Sequence, residues 1–342
     1  MLGCGPSPVE VAAPPRPPQA PGTATEPKAE ADPTAPSCGS SAAYADARWL
    51  DRPDGTRLWY RERGDADAPT VVYVHGGPGY NAFAFDRAVG EELARNTRLV
   101  LTDQRGCGRS AAATEAPLGM NATVDDLEAL RKTVGASRWT LLAHSFGGLV
   151  AVEYARRYPE AVAGLVLVET TADLPDALEH QVATAAALAP EAWSQHAPGI
   201  AAIAGDDGSP MNRLLKIYGL VGPSALQGRL HWRDAAMQAK ADAWDVDSGL
   251  LACSRPEVLS AYREGGWIDG APASLAGPLR MPAILVGGRH SNVIGEENLE
   301  RSAEGWGVPI VWMEHSGHFP YIEEPVVFTR AVTSFVARRP EP

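Results

Sequence analysis

The segment Leu141-Leu142-Ala143-His144-Ser145-Phe146-Gly147-Gly148 carries the densest chemical signal in the chain. An apolar run precedes Ser145 and a helix-forming run follows it. That is the setting of a strained strand-to-helix elbow, which projects a serine hydroxyl as a nucleophile. The turn needs small residues two before and two after the serine. Gly147 meets that need, and Ala143 departs from glycine by one methyl. The amides that open the next helix would face a developing oxyanion, with the Phe146 N–H first. A second segment, His75-Gly76-Gly77-Pro78-Gly79, follows another apolar run, and its Gly77 N–H is the candidate second donor. A plain Pro-Gly turn would give the same composition. His75 reads as a residue that orients this loop, not one that moves protons. The nucleophile also needs a base, and Glu314-His315-Ser316-Gly317-His318-Phe319 offers two histidines after the last apolar run. Gly317 lets the chain turn sharply back towards the serine, so His318 is the candidate base and His315 its alternate.

These residues must be held by a regular scaffold, and the pattern supplies one. Leu58-Trp59-Tyr60-Arg61-Glu62 reads as an edge strand. Short apolar runs with the character of buried parallel strands follow at Thr70 to Val74, Leu99 to Leu101, Trp139 to Leu142 and Gly164 to Val168, then at Ala283 to Val286 and Pro309 to Met313. Helical stretches lie between them, for example Thr123 to Lys132 and Leu149 to Arg157. This alternation predicts an α/β protein, a mostly parallel sheet with helices on both faces. More than a hundred residues separate Val168 from Ala283. That stretch is too long for a loop and contains helix-like segments at Pro175 to Leu188, Met211 to Tyr218 and Ala235 to Trp244. An inserted helical cap over the carboxyl ends of the strands fits it. The expected organisation is a tail over 1–43, a core over 44–171 and 279–342, and a cap over 172–278.

Composition narrows the function classes. The 342 residues are 45% hydrophobic and carry a formal charge of −12. An acidic chain without a Lys/Arg stripe argues against nucleic acid and against electrostatic attachment to anionic lipid. No run of about 18 apolar residues is present in the chain as given. Cys4, Cys38, Cys107 and Cys253 are too few and too scattered for a disulfide scaffold or a zinc site, and no metal or cofactor is expected. Ten of the 29 prolines precede residue 37, in a segment nearly free of aromatic and β-branched residues, so residues 1–43 read as a disordered linker. Met1-Leu2-Gly3-Cys4 looks like the end of a lipoprotein signal without its basic and apolar regions. If the true start lies upstream, Cys4 is a lipidation site, the tail a tether and the protein extracytoplasmic. Otherwise the protein is cytoplasmic.

The motifs together resemble the proline iminopeptidase family of α/β-hydrolases, which release an N-terminal residue, often proline. The resemblance rests on His75-Gly76-Gly77-Pro78-Gly79, Asp103-Gln104-Arg105-Gly106-Cys107-Gly108-Arg109-Ser110, the serine elbow, and Gly317-His318 with Glu324-Pro325 behind it. It covers about residues 53–168 and 279–336, and Asp103–Ser110 is its most specific part. Two departures stand out. Where the family carries a Gly-Gly-Ser-Trp-Gly elbow, this chain has Ala-His-Ser-Phe-Gly, closer to esterase-like relatives. Where the family has its triad acid, in a stretch like Gly-x-His-Asp, this chain has Gly287-Gly288-Arg289-His290-Ser291-Asn292, with Ser291 in the acid's slot. Losing that charge lowers turnover by on the order of 10⁴. Glu169, directly after the strand ending at Val168, is the candidate substitute. Glu296, Glu297, a cap residue, or no acid at all are the alternatives.

The expectation is therefore a serine hydrolase that works through an acyl-enzyme, an aminopeptidase for N-terminal proline or a small residue. The alternatives are an esterase or amidase, and a non-catalytic binding protein motivated by Ser291. Its partner would be a small peptide or ester substrate. An aminopeptidase must hold a cationic amine, which calls for a carboxylate near the serine. The cap supplies Asp206, Asp207, Asp234, Asp242, Asp245 and Asp247. Trp244-Asp245 is similar to the family's amine-anchoring Trp-Glu pair, which makes Asp245 the candidate anchor. Trp232, Trp244 and Trp267 are candidate apolar partners for the substrate. Cys107 would lie near the pocket as a free thiol, or pair with Cys253 if the protein is exported.

Overall fold

The computed structural model describes residues 46–110 and 115–338. The tail expected over residues 1–43, with Cys4, lies outside the described residues. Eight strands form one sheet: β1 (Arg48–Asp51), β2 (Arg57–Arg63), β3 (Thr70–Val74), β4 (Arg98–Thr102), β5 (Trp139–His144), β6 (Val162–Val168), β7 (Ala283–Gly288) and β8 (Ile310–Met313). Their order is β1-β2-β4-β3-β5-β6-β7-β8. β2 runs antiparallel to both β1 and β4, and every pair from β4 to β8 is parallel. The parallel part is buried on both faces, which explains why its strands read as unbroken apolar runs. Leu58–Glu62 is not an edge strand: β1 pairs outside it, with Trp49 opposite Trp59. The four residues of β1 were too short and too polar to register as a strand.

Helices follow in the order α1 (Phe83–Phe85), α2 (Glu91–Ala94), α3 (Met120–Thr133), α4 (Phe146–Arg157), α5 (Leu174–Ala192), α6 (Ala197–Ala204), α7 (Pro210–Val221), α8 (Pro223–Leu230), α9 (Ala235–Ser248), α10 (Glu257–Glu264), α11 (Glu296–Trp306), α12 (Pro320–Glu323) and α13 (Pro325–Ala337). Strand residues alternate between two apolar layers. Val72, Val74, Leu141 and Leu165 pack with Leu127, Leu149 and Leu299 of α3, α4 and α11. Val71, Tyr73, Leu142 and Val166 pack with Phe85 of α1 and with Phe328 and Val332 of α13. Helices α5 to α10 all fall between β6 and β7, where the sequence predicted a helical insertion. Their starts are signalled locally: Asp173 accepts from the Asp176 amide at 3.1 Å and Asp234 from the Ala236 amide at 2.8 Å, each an N-cap. Among the described residues, no helix is long and apolar enough to cross a membrane.

Candidate active site

Ser145 immediately follows β5, Glu169 follows β6, Ser291 lies beyond β7 and His318 lies beyond β8. All four therefore sit off the carboxyl ends of parallel strands, where open α/β sheets hold their ligands. Among the described residues, Ser145 (φ 53°) and Glu169 (φ 50°) are the non-glycine residues with positive φ. Such backbone persists only where its surroundings hold it. The sheet ladder does so here: the Ser145 amide donates to Val168 O at 2.8 Å, and the Glu169 amide to Val286 O at 2.9 Å. Helix α4 starts at Phe146, three residues earlier than its apolar periodicity indicates. Its first amides have no preceding carbonyl within the helix to bond. A Cβ on Gly147 would lie 2.4 Å from Val74 O and 2.5 Å from His75 O, so only glycine lets α4 approach the end of β3. That approach sets the Phe146 amide and the Gly77 loop against the same cavity.

His318 is buried and fixed from three sides. Its amide donates to His231 O at 2.6 Å, its carbonyl lies 2.8 Å from His144 Nε2, and its Nδ1 lies 3.1 Å from Glu169 Oε2. Gly317 does not adopt a left-handed turn, contrary to the sharp turn expected of it. Glycine is required instead by close approach, since a Cβ there would lie 2.3 Å from His231 O. His315, the alternate base, has an exposed backbone amide held by Glu324 and does not line the cavity.

Glu169 is fully buried, and its Oε1 accepts from the Gly288 amide at 2.5 Å. Ser291, the residue in the family's acid slot, is buried beyond β7 on the same side, and its hydroxyl accepts from the Val293 amide at 3.4 Å. Burial lifts the Glu169 carboxyl to about 8, while the Ser291 hydroxyl and the Gly288 amide pull it down. Burial also drives His318 down to about 3, so the imidazole is held neutral, as a base must be. Glu296 is engaged with Arg289 at the surface and Glu297 lies near Arg301, so neither meets His318.

The Asp103–Ser110 segment lies behind the cavity and braces it. Asp103 accepts from the Ala82 amide (2.8 Å), the Arg109 amide (2.8 Å) and Arg109 Nε (2.7 Å). The Gln104 amide donates to His75 Nε2 at 2.8 Å, and His75 Nδ1 lies 2.9 Å from Gly76 O. His75 thus pins the glycine loop, as its position predicts. Cys107 is a buried free thiol pushed up to about 12 by burial, and it does not line the cavity. The Cys107–Cys253 pairing is not formed, although Cys253 is disulfide-bonded. Among the described residues, no group of three or more His, Cys, Asp or Glu side chains is placed to hold a metal ion.

The cavity of about 460 Å³ brings together Gly77, Ser145, Phe146, His318 and Asp245. Trp232 lines it, while Trp244 and Trp267 do not. Of the acidic residues in the insertion, Asp242 and Asp245 reach it, whereas Asp206 pairs with Lys216 at 2.7 Å. Tyr80 donates its phenol proton to Asp245 Oδ1 at 2.9 Å. Burial raises the Asp245 carboxyl to about 6. Sequence reading missed Tyr80, His231 and Thr170 in the lining. Only the position of Tyr80 directly after the glycine loop could have signalled it.

A family profile described as alpha/beta hydrolase fold matches residues 69–198. The proline iminopeptidase of Xylella fastidiosa strain 9a5c is 34% identical over 290 residues, covering 77% of this chain and 85% of that protein. The proline iminopeptidase of Neisseria gonorrhoeae is 31% identical over 254 residues, 68% of this chain and 77% of that protein. A proline iminopeptidase-related protein from Thermus thermophilus superposes with TM-score 0.71 at 26% identity, over 86% of this chain and 98% of that one. An esterase from Rhodococcus sp. ECU1013, at 22% identity and TM-score 0.62 over 86% and 100%, shares the fold. With this similarity over most of its length and this sheet order, the chain belongs to the proline iminopeptidase family of α/β-hydrolases and is a hydrolase.

Proposed function

We propose that the protein is a serine aminopeptidase acting through an acyl-enzyme on substrates with a free amine, proline or a small residue first. Ser145 Oγ attacks the substrate carbonyl carbon while His318 Nε2 takes the hydroxyl proton. The oxyanion accepts hydrogen bonds from the Gly77 and Phe146 amides. The bond from carbon to the leaving nitrogen breaks as His318 returns the proton to that nitrogen. Water then attacks the ester on Ser145, with His318 again as base, and releases the acid. Glu169 fixes the His318 tautomer and stabilises the imidazolium. The observation that carries this reading is the 3.1 Å contact of His318 Nδ1 with the buried carboxyl of Glu169. A carboxyl from the end of β6 thereby fills the role that Ser291, the motive for a non-catalytic protein, leaves open.

Asp245 is the proposed amine anchor, supported by its place in the lining and its bond to Tyr80. The second reading, an ester or general amide hydrolase, is favoured by the Ala143-His144-Ser145-Phe146-Gly147 elbow. Two measurements separate these. A fluorophosphonate probe should label Ser145 rapidly in the native protein and fail in His318→Ala. Prolyl anilide should then turn over much faster than its N-acetyl form. Equal rates for the two anilides would refute the aminopeptidase, and no labelling of folded protein would refute the nucleophile.

A further inference from the structure

The helical insertion divides into two groups. Helices α5, α6, α7 and α8 pack on one another, whereas α9 packs on α1 and α12, beside the loop that bears Gly77 and Tyr80. The cavity over Ser145 is lined by both groups. From α9 it receives Asp242 and Asp245, and Tyr80 meets Asp245 at 2.9 Å. From α5 and α7 it receives Leu178, Met211, Leu214 and Leu215 with Gln181 and Tyr218, and no charged side chain. One side is therefore acidic and adjoins the oxyanion loop, and the other is uncharged and mainly apolar. Leu215 is 43% exposed although it lines the cavity, so the apolar side continues to the mouth. A large side chain left in that position has apolar surface to offer an incoming group. The volume of about 460 Å³ falls in the range that encloses a ligand of drug size, well beyond a single acyl residue.

We propose that the enzyme selects amphiphilic substrates: the amine of the acyl half lies against Asp245, and a bulky apolar leaving half lies against α5 and α7. The proposal rests on the amine-anchored reading of the same site. Because the acidic side adjoins the oxyanion loop, the amine-bearing acyl half occupies it, and the apolar side is left for the departing amine. The chemistry is unchanged: the acyl carbon passes to Ser145, the C–N bond breaks, and the apolar amine leaves with the proton from His318. Even one methylene in an apolar pocket is worth about tenfold or more in kcat/KM.

Prolyl-phenylalaninamide and prolyl-glycinamide, each with and without an N-acetyl group, test this in the full-length native chain. The expected result is at least a tenfold higher kcat/KM for the phenylalanine compound, with both N-acetyl forms poor. Leu215→Asp, at a half-exposed position where folding is not at stake, should shrink that ratio. Turnover of both free-amine compounds at equal kcat/KM would overturn the apolar side while leaving the aminopeptidase reading intact. Equal turnover of the acetylated and free phenylalanine compounds would overturn the amine half of the proposal. No turnover of any compound, with Ser145 still labelled by fluorophosphonate, would overturn both the proposal and the aminopeptidase reading and leave the nucleophile standing.

Discussion

Glu169→Gln isolates the unusual feature of this site, because it preserves shape and removes the carboxyl that can ionise opposite His318. The two oxygens of Glu169 have different partners: Oε1 accepts from the Gly288 amide at 2.5 Å, and Oε2 faces His318 Nδ1 at 3.1 Å. A glutamine must orient its oxygen towards Gly288, since the flipped rotamer would set two N–H donors against each other at that distance. Its NH₂ then points at Nδ1 and makes that nitrogen an acceptor, which moves the imidazole proton to Nε2. In that tautomer Nε2 cannot take the Ser145 proton, and the charge that stabilises the imidazolium is gone as well. The equivalent loss in a serine triad lowers kcat by about 10⁴, or about 5 kcal/mol of transition-state stabilisation. The assay is the rate of fluorophosphonate labelling at Ser145 together with kcat on prolyl anilide, with the fold checked by circular dichroism. Adding Ser291→Asp returns a carboxylate to the family's slot beside the same imidazole and should recover part of the loss. A Glu169→Gln rate within about fivefold of the native enzyme, under about 1 kcal/mol, would refute the assignment of Glu169.

Three further outcomes follow from the same geometry. Burial raises the Asp245 carboxyl to about 6, so KM for a free-amine substrate should rise as pH falls below that value, while KM for an N-acetyl substrate stays level; Asp245→Asn should abolish the difference. Gly147→Ala places a Cβ 2.4 Å from Val74 O, and because strand backbone cannot yield like a side chain it should cost roughly 3 kcal/mol or more by denaturant midpoint and abolish Ser145 labelling. His75, His144, His231 and His318 are all held below their usual range mainly by burial, the last two at about 3. Below about 6.5 the unfolded chain binds protons that the folded chain refuses, so stability is lost as pH falls from there towards 3. Glu169 and Asp245 slope the opposite way, and a denaturant midpoint that rises between about pH 7 and pH 5 would contradict the histidine contribution.

The sequence alone determined whatever depends on local pattern. The parallel strands were legible because both faces of β3, β5 and β6 are buried, which leaves their residues uniformly apolar. Ser145 was legible because the elbow needs small residues at fixed spacing, and His318 because it follows the last strand beside a glycine. β1 was not legible, since four half-exposed residues gain their strand character only from pairing with β2. The family motif Asp103–Ser110 was visible as a pattern, yet only the folded chain shows that it braces the glycine loop through His75 and Asp103. The acid was a choice among distant carboxylates, and no spacing rule reaches from residue 169 to residue 318. Tertiary structure favours Glu169: the ladder beyond β6 holds it at positive φ, and its buried carboxyl then meets His318 Nδ1 and the Gly288 amide. The meeting of Tyr80 with Asp245 was decided in the same way, because two residues far apart in the chain become neighbours only when α9 packs over the oxyanion loop.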